Sequence, residues 1–305
     1  MGQEVPPLGR LLTAMITPFR EDGTVDYAAA QQLARQLCED GSDGIVVAGT
    51  TGESPTLSDD EKVALIRAVR EAIPGRSLVA GTGTYDTRHS VELSERAMAA
   101  GADALLCVVP YYNKPPQEGM YRHFRELARV GPVIMYNIQS RTGVNMSAET
   151  TLRCAAEPGV IGVKEASGNI DQMGFVCAGA PPGFRVWSGD DSFTLPLLAV
   201  GGYGVICVVS HLAGSAMKRM IEAHLAGRND EARSIHHRLL PLIKALMTVS
   251  SNPVPVKSAL NALGFPAGPF RLPLTPLPRA DLDRVLEAVR AAGDLVTFRG
   301  GARVG

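Results

Sequence analysis

Cysteine is sparse and without pattern. The five residues Cys38, Cys107, Cys154, Cys177 and Cys207 are odd in number and far apart, with no Cys-x-x-Cys pair. That argues against a disulfide scaffold or a zinc module, and a reducing cytoplasm is the compartment expected. The six histidines form neither His-x-His nor His-Glu-x-x-His, and the adjacent His236 and His237 would point to different sides of a helix, so no metal site is expected. An excess of charge is missing too: 30 Lys and Arg against 31 Asp and Glu leave −1, which gives no electrostatic case for nucleic acid or an anionic membrane. The longest apolar stretch, residues 195–209, is interrupted by Gly201, Gly202 and Gly204 and cannot serve as a membrane span. Residues 1–7 lack the basic start and apolar core of a signal peptide, and Pro6 breaks the myristoylation pattern. No Gly-x-Gly-x-x-Gly follows an early strand; Gly81-Thr-Gly83 is only a fragment of that fingerprint.

What the chain does have is a regular alternation of apolar runs and helical patterns. Strands are expected at 11–19, 44–50, 77–83, 102–110, 132–137, 160–166, 184–189 and 202–209, each followed by a helix. One helix is announced by Ser58-Asp-Asp-Glu61, a capping box. Most units are about 30 residues long, the length of a βα crossover. Eight consecutive units favour an α/β fold of the closed (β/α)8 TIM-barrel type over an open doubly wound sheet. After Gly227 the alternation stops, and three helical patterns with Pro-rich connections follow. The expected organisation is a barrel over 1–227 holding the site and a small C-terminal helical domain over 228–305, ending in a frayed tail.

In such a barrel the site lies at the C-terminal ends of the strands. Lys164 ends the apolar run Val160-Ile-Gly-Val-Lys164, bounded by Gly159 and Gly168. A lysine there either snorkels to solvent or points into the site, where desolvation favours the free amine that attacks a carbonyl to form a Schiff base. Other strand ends bring Gly49-Thr-Thr-Gly-Glu53, Pro110-Tyr-Tyr-Asn113, Tyr136-Asn137 with Ser140-Arg-Thr-Gly143, and Ser188-Gly-Asp-Asp191. Each has a bland reading: turn hydroxyls at Thr50 and Thr51, packing tyrosines at Tyr111 and Tyr112, a core Tyr136, a surface Arg141, and a helix N-cap at Asp190 or Asp191. Gly201, Gly202 and Gly204 are read as tight turns rather than a phosphate site. Together, the polar residues at one rim suit imine chemistry without a metal or cofactor. Lys164 would be the nucleophile, a tyrosine with a threonine would move protons, Thr51 would hold a ketoacid carboxylate, and Arg141 would bind a second carboxylate.

On these motifs, and on Gly204-Val-Ile206, Asn252-Pro-Val-Pro-Val-Lys257 and Arg271-Leu-Pro-Leu-Thr-Pro276, nearly the whole chain resembles the dihydrodipicolinate synthase family of class I, lysine-dependent aldolase-type lyases. The resemblance implies that Lys164 forms an imine with pyruvate, which then condenses with L-aspartate 4-semialdehyde in lysine and diaminopimelate biosynthesis. It implies Tyr136 as proton donor and acceptor, linked through Thr50 to a Tyr112 that serves the neighbouring subunit, in a homotetramer built from tight dimers. Thr51, Gly189 and the Ile206 backbone would line the pyruvate pocket, and Arg141 would bind the semialdehyde. That arginine separates synthases from relatives that cleave sialic acid or 2-keto-3-deoxy sugar acids, the alternative reading. A second alternative is a silent ligand-binding barrel, because Gln139 stands where the family usually has proline in the turn presenting Arg141. Lysine-sensitive members tend to carry His, His, Asn and Glu where this chain has Asp59, Lys62, Tyr85 and His89, which counts against lysine feedback; Tyr111 keeps the family residue.

Overall fold

The computed structural model describes residues 8–298 of the chain; the expected tail, 299–305, lies outside the described residues. Eight strands, β1 (Leu11–Ala14), β2 (Gly44–Val47), β3 (Ser77–Gly81), β4 (Ala104–Val108), β5 (Val133–Asn137), β6 (Val160–Glu165), β7 (Arg185–Ser188) and β8 (Gly204–Cys207), are hydrogen-bonded in chain order and close on themselves. Every neighbouring pair is parallel, including β1 with β8. The helices wrapping them are α1 (Tyr27–Glu39), α2 (Asp59–Ala72), α3 (Thr87–Ala99), α4 (Gln117–Leu127), the single turn α5 (Gln139–Thr142), α6 (Ala148–Ala155), α7 (Ile170–Gly179), α8 (Thr194–Ala199) and α9 (Ser210–Leu225). They are followed by α10 (Asn229–Thr248), α11 (Val254–Ala262) and α12 (Arg279–Ala292).

The strands read as continuous apolar runs because both faces are covered. Ile45, Val47, Leu105, Cys107, Val133, Met135 and Val163 pack outward against the helices. Leu12, Val46, Val79, Ile134, Trp187 and Ile206 fill the barrel interior. Helix starts follow local chemistry: the Asp26 carboxylate accepts from Ala29 N–H, and Ser58 with Glu61 forms the expected capping box.

The ladders are shorter than the apolar runs that announced them. β1 ends at Ala14, yet Met15, Ile16 and Phe19 stay buried, covered by the following loop and by the segment whose Ala267 carbonyl accepts from Phe19 N–H at 3.1 Å. Apolarity reports burial, not strand pairing, and at the barrel rim the two part company. The helix expected after the eighth strand is entered at Ser210 and broken at Ala213 (φ −135°, ψ 43°). α5 was not expected at all.

The C-terminal helices clamp onto the barrel. Arg271 donates to the Gly23 and Thr56 carbonyl oxygens and pairs with Glu61, whose carboxyl this guanidinium holds down at about 2. Lys257, at the heart of α11, is fully buried and pairs with Glu53 at 2.7 Å while donating to the Thr17 carbonyl at 3.0 Å. Glu53 lies in the loop after β2, so α11 holds one of the loops that form the rim.

Candidate active site

β5 and β6 run in register with Tyr136 beside Lys164. Residues alternate inward and outward along each strand, and both side chains share the inward parity of Ile134. Lys164 is 5 % exposed, and its Nζ sits 4.3 Å from the centroid of the Tyr136 ring. No carboxylate among the described residues pairs with it. Beneath it the strand carries Gly162, where a Cβ would come within 2.6 Å of the Trp187 indole. Trp187 is fully buried and anchored by its Nε1–H to the Gly9 carbonyl at 3.1 Å, so it floors the site. At the level of the lysine stem, a Cβ on Gly189 would lie 3.2 Å from Lys164 Cγ and Cε and 2.6 Å from Ala166 Cβ. Glycine there leaves the lane in which the lysine lies.

The second buried lysine is a useful contrast. Burial pulls the Lys257 ammonium down to about 8 against the opposing pull of Glu53. Its donors are nevertheless taken by Glu53 and the Thr17 carbonyl, and it lies against the Phe19 and Phe270 rings. Lys257 is a structural clamp, whereas Lys164 Nζ lies beside a phenol with no carboxylate partner among the described residues.

A cavity of about 560 Å³ opens beside Tyr136. Thr50, Tyr136 and Arg141 line it together with Tyr85, Tyr111, Asp59, Lys62 and His89. Lys164, Thr51, Gly189 and Ile206 are not among its lining residues; Lys164 is connected to it through Tyr136, whose ring its Nζ lies over. Thr51 is buried and its Oγ1 accepts from Asn252 Nδ2 at 3.0 Å. Ile206 is fully buried inside the barrel, opposite Leu12. Arg141 sits on α5, and its Nη2 donates to the Asn252 carbonyl at 3.0 Å.

Gln139 leaves the Arg141 turn undisturbed. It occupies the first helical position of α5, where a backbone N–H has no helical partner and proline is equally at home. The turn closes through Gly143 N–H to the Gln139 carbonyl at 2.9 Å, with Gly143 in the left-handed region (φ 75°).

Tyr112 is not brought to this site within the chain. It is 91 % exposed with φ 71°, while its neighbours are tied down. Tyr111 packs edge-on against Tyr85 with centroids 5.4 Å apart, and Asn113 Nδ2 donates to the Tyr85 carbonyl. The loop thus presents Tyr112 outward at the cost of an uncommon backbone conformation.

Beyond Tyr85 and Tyr111 the cavity ends at a charged group. Lys62 Nζ lies 3.9 Å from Asp59, which bonds His89 Nε2 at 2.7 Å. Burial lowers the Lys62 pKa and Asp59 resists that shift.

Two residues, Asp191 and Asn252, play parts that motif reasoning did not assign them. Asp190 is the N-cap, accepting from Ser192 N–H at 2.8 Å. Asp191 is instead buried under the end of β8, where its carboxylate accepts from Val208 and Val209 N–H; burial raises its pKa to about 6. Asn252 touches both Thr51 and Arg141, and its only sequence signal was membership of the Asn252-Pro-Val-Pro-Val-Lys257 run.

A family model described as the dihydrodipicolinate synthetase family matches residues 7–292. A protein of Moorella thermoacetica named 4-hydroxy-tetrahydrodipicolinate synthase is 54 % identical over 93 % of this chain and 98 % of its own. One of the same name from Symbiobacterium thermophilum is 50 % identical over 95 % of this chain and its entire length. Among solved structures, the dihydrodipicolinate synthase of Cyanidioschyzon merolae with lysine bound superposes with a TM-score of 0.91 at 45 % identity, covering 94 % of this chain and 98 % of that one. Sequence and fold therefore agree along almost the whole length, and the chain belongs to the dihydrodipicolinate synthetase family.

Proposed function

We propose that this chain is a 4-hydroxy-tetrahydrodipicolinate synthase, a lyase condensing pyruvate with L-aspartate 4-semialdehyde in lysine and diaminopimelate biosynthesis. The observation that carries the reading is the buried Lys164 amine, without a carboxylate partner among the described residues, against the Tyr136 ring.

The chemistry follows from that pair. The neutral amine adds to the ketone carbon of pyruvate, giving a carbinolamine; loss of water gives the imine. Removal of a methyl proton gives an enamine, which attacks the aldehyde carbon of the second substrate. Tyr136 is the group placed to deliver and accept these protons, with Thr50 on the same cavity wall as its relay. Thr51 holds the pyruvate carboxylate, and Gly189 and the Ile206 backbone line the pyruvate pocket. Arg141 faces the second carboxylate, and its fork suits bidentate pairing.

The exposed Tyr112 fits a side chain that completes the relay of a second copy, within a homotetramer of tight dimers. A cytoplasmic setting fits the unpaired cysteines. Among the described residues no helix is long and apolar enough to cross a membrane. Lysine feedback is not expected. Where lysine-sensitive members tend to carry His, His, Asn and Glu, this chain lines the cavity with Asp59, Lys62, Tyr85 and His89, three of them paired among themselves, Lys62 with Asp59 and Asp59 with His89.

A coupled assay with both substrates, repeated with added lysine, tests all of this. Turnover dependent on both substrates and unchanged by lysine is expected. Turnover of a sialic or 2-keto-3-deoxy sugar acid in place of condensation would overturn the reading.

A further inference from the structure

We propose that Asn252 is a positioning residue that fixes which way the Thr51 hydroxyl donates, so that its single proton is reserved for the pyruvate carboxylate. The proposal rests on the reading of Thr51 as a carboxylate contact.

A hydroxyl has one hydrogen and can both donate and accept. Thr51 Oγ1 accepts from Asn252 Nδ2 at 3.0 Å, and this is the hydroxyl's hydrogen bond among the described residues. With its lone pair so engaged, the Thr51 proton is free to turn to a ligand. An anion offers only lone pairs, so a hydroxyl that gave its proton to the protein would meet a carboxylate with repulsion. The Asn252 side chain is 8 % exposed, and its Oδ1 is buried without a partner among the described residues.

The Asn252 backbone is held from both sides. Its main-chain carbonyl accepts from Arg141 Nη2 at 3.0 Å. Five residues on, Lys257 pairs in full burial with Glu53, which lies two residues beyond Thr51 with φ 56°. Glu53 also accepts from Arg271 N–H at 3.2 Å. The rim loop and the start of α11 are thus pinned together at Thr51–Asn252 and again at Glu53–Lys257, which keeps the Asn252 backbone in place beside Thr51. One residue thereby touches both proposed carboxylate contacts: its side chain sets Thr51, and its backbone holds Arg141.

The test is the pyruvate concentration that half-saturates borohydride trapping of the Lys164 imine, measured without the second substrate. Asn252→Asp keeps the size of the side chain but can only accept, so it would take the Thr51 proton. Asn252→Ala leaves the hydroxyl unassigned. The half-saturating concentration should rise about tenfold or more in Asn252→Asp and only a few-fold in Asn252→Ala, since hydrogen bonds to charged groups are among the strong ones. In a Thr51→Val background most of the aspartate penalty should vanish. The KM for the semialdehyde should stay within about twofold, because the Arg141 contact is to backbone.

An alanine variant as impaired as the aspartate would mean a merely structural role and overturn the proposal. So would an undiminished aspartate penalty in Thr51→Val, which would be plain charge repulsion. Should the aspartate variant fail to fold, Asn252→Leu serves: its loss must also disappear in Thr51→Val. Failure of the native protein to trap pyruvate at Lys164 would instead bring down the underlying reading of the site, and this proposal with it.

Discussion

Adding one methyl group beside Lys164 should disable the site while leaving the fold intact. In Gly189→Ala the new Cβ would stand 2.6 Å from Ala166 Cβ and 3.2 Å from Lys164 Cγ and Cε. Ala166 cannot yield except by backbone movement, whereas the lysine stem can swing aside. The 2.6 Å contact is therefore relieved only by moving the ends of β6 and β7 apart, and the lysine stem swings aside with them, displacing the nucleophile from the Tyr136 ring. Overpacking of this kind costs about 1–3 kcal/mol. Expressed in the barrier for imine formation, that is a loss of roughly five- to 150-fold in rate. The assay is the rate of pyruvate trapping by borohydride, with thermal unfolding in parallel. A melting temperature within a few degrees of native with a tenfold or greater loss of trapping is the expected pattern. Native trapping rates in Gly189→Ala would refute the claim that glycine is there to give the lysine its lane.

Two further perturbations probe the scaffold. Glu53→Gln strands the Lys257 charge in full burial and should cost roughly 3–5 kcal/mol of stability, read by urea unfolding, and should impair pyruvate binding through the Thr51 loop; an unchanged midpoint would show the pair to be dispensable. His211, fully buried, uses both ring nitrogens, Nε2 accepting from Ile16 N–H and Nδ1 donating to the Val208 carbonyl, and burial depresses its pKa to about 4. The unfolded chain takes up that proton first, so stability present above pH 6.5 is lost as pH falls towards 4. This amounts to about 2 kcal/mol by pH 5 and about 3 kcal/mol in all. Asp191 works the other way, gaining about 1 kcal/mol over the same descent, because its folded pKa is raised. The difference between native and His211→Gln, measured by urea unfolding at pH 7.5 and 5, isolates the histidine; parallel losses in both would contradict the assignment.

The barrel was legible in the sequence because parallel strands buried on both faces leave continuous apolar runs, and Lys164 stood out as the charge that ended one. Strand lengths were not legible, since Ile16 and Phe19 are as apolar as the ladder residues before them yet lie past the last bond to β2, from Met15 N–H to the Val46 carbonyl at 2.9 Å. Thr50, Tyr136 and Arg141 could be placed on one rim from strand order alone, and they line one cavity. The parts that hold the site could not. Asn252 and Lys257 reach Thr51 and Glu53 across about 200 residues of chain, separations of 201 and 204, and no local pattern encodes a hydrogen bond over that distance. Asp191 looked like the cap that Asp190 turned out to be, because adjacent aspartates carry no mark of which one faces inward. Gly189 was read as a ligand contact; its steric relation to Lys164 exists only in three dimensions.

The central claim is that the Lys164 amine is the nucleophile. The most direct measurement is borohydride reduction of the protein in pyruvate followed by peptide mass mapping. One reduced pyruvate on the peptide bearing Lys164, absent in Lys164→Ala, is the expected result. An unmodified Lys164, or the adduct on Lys257 or another lysine, would contradict it.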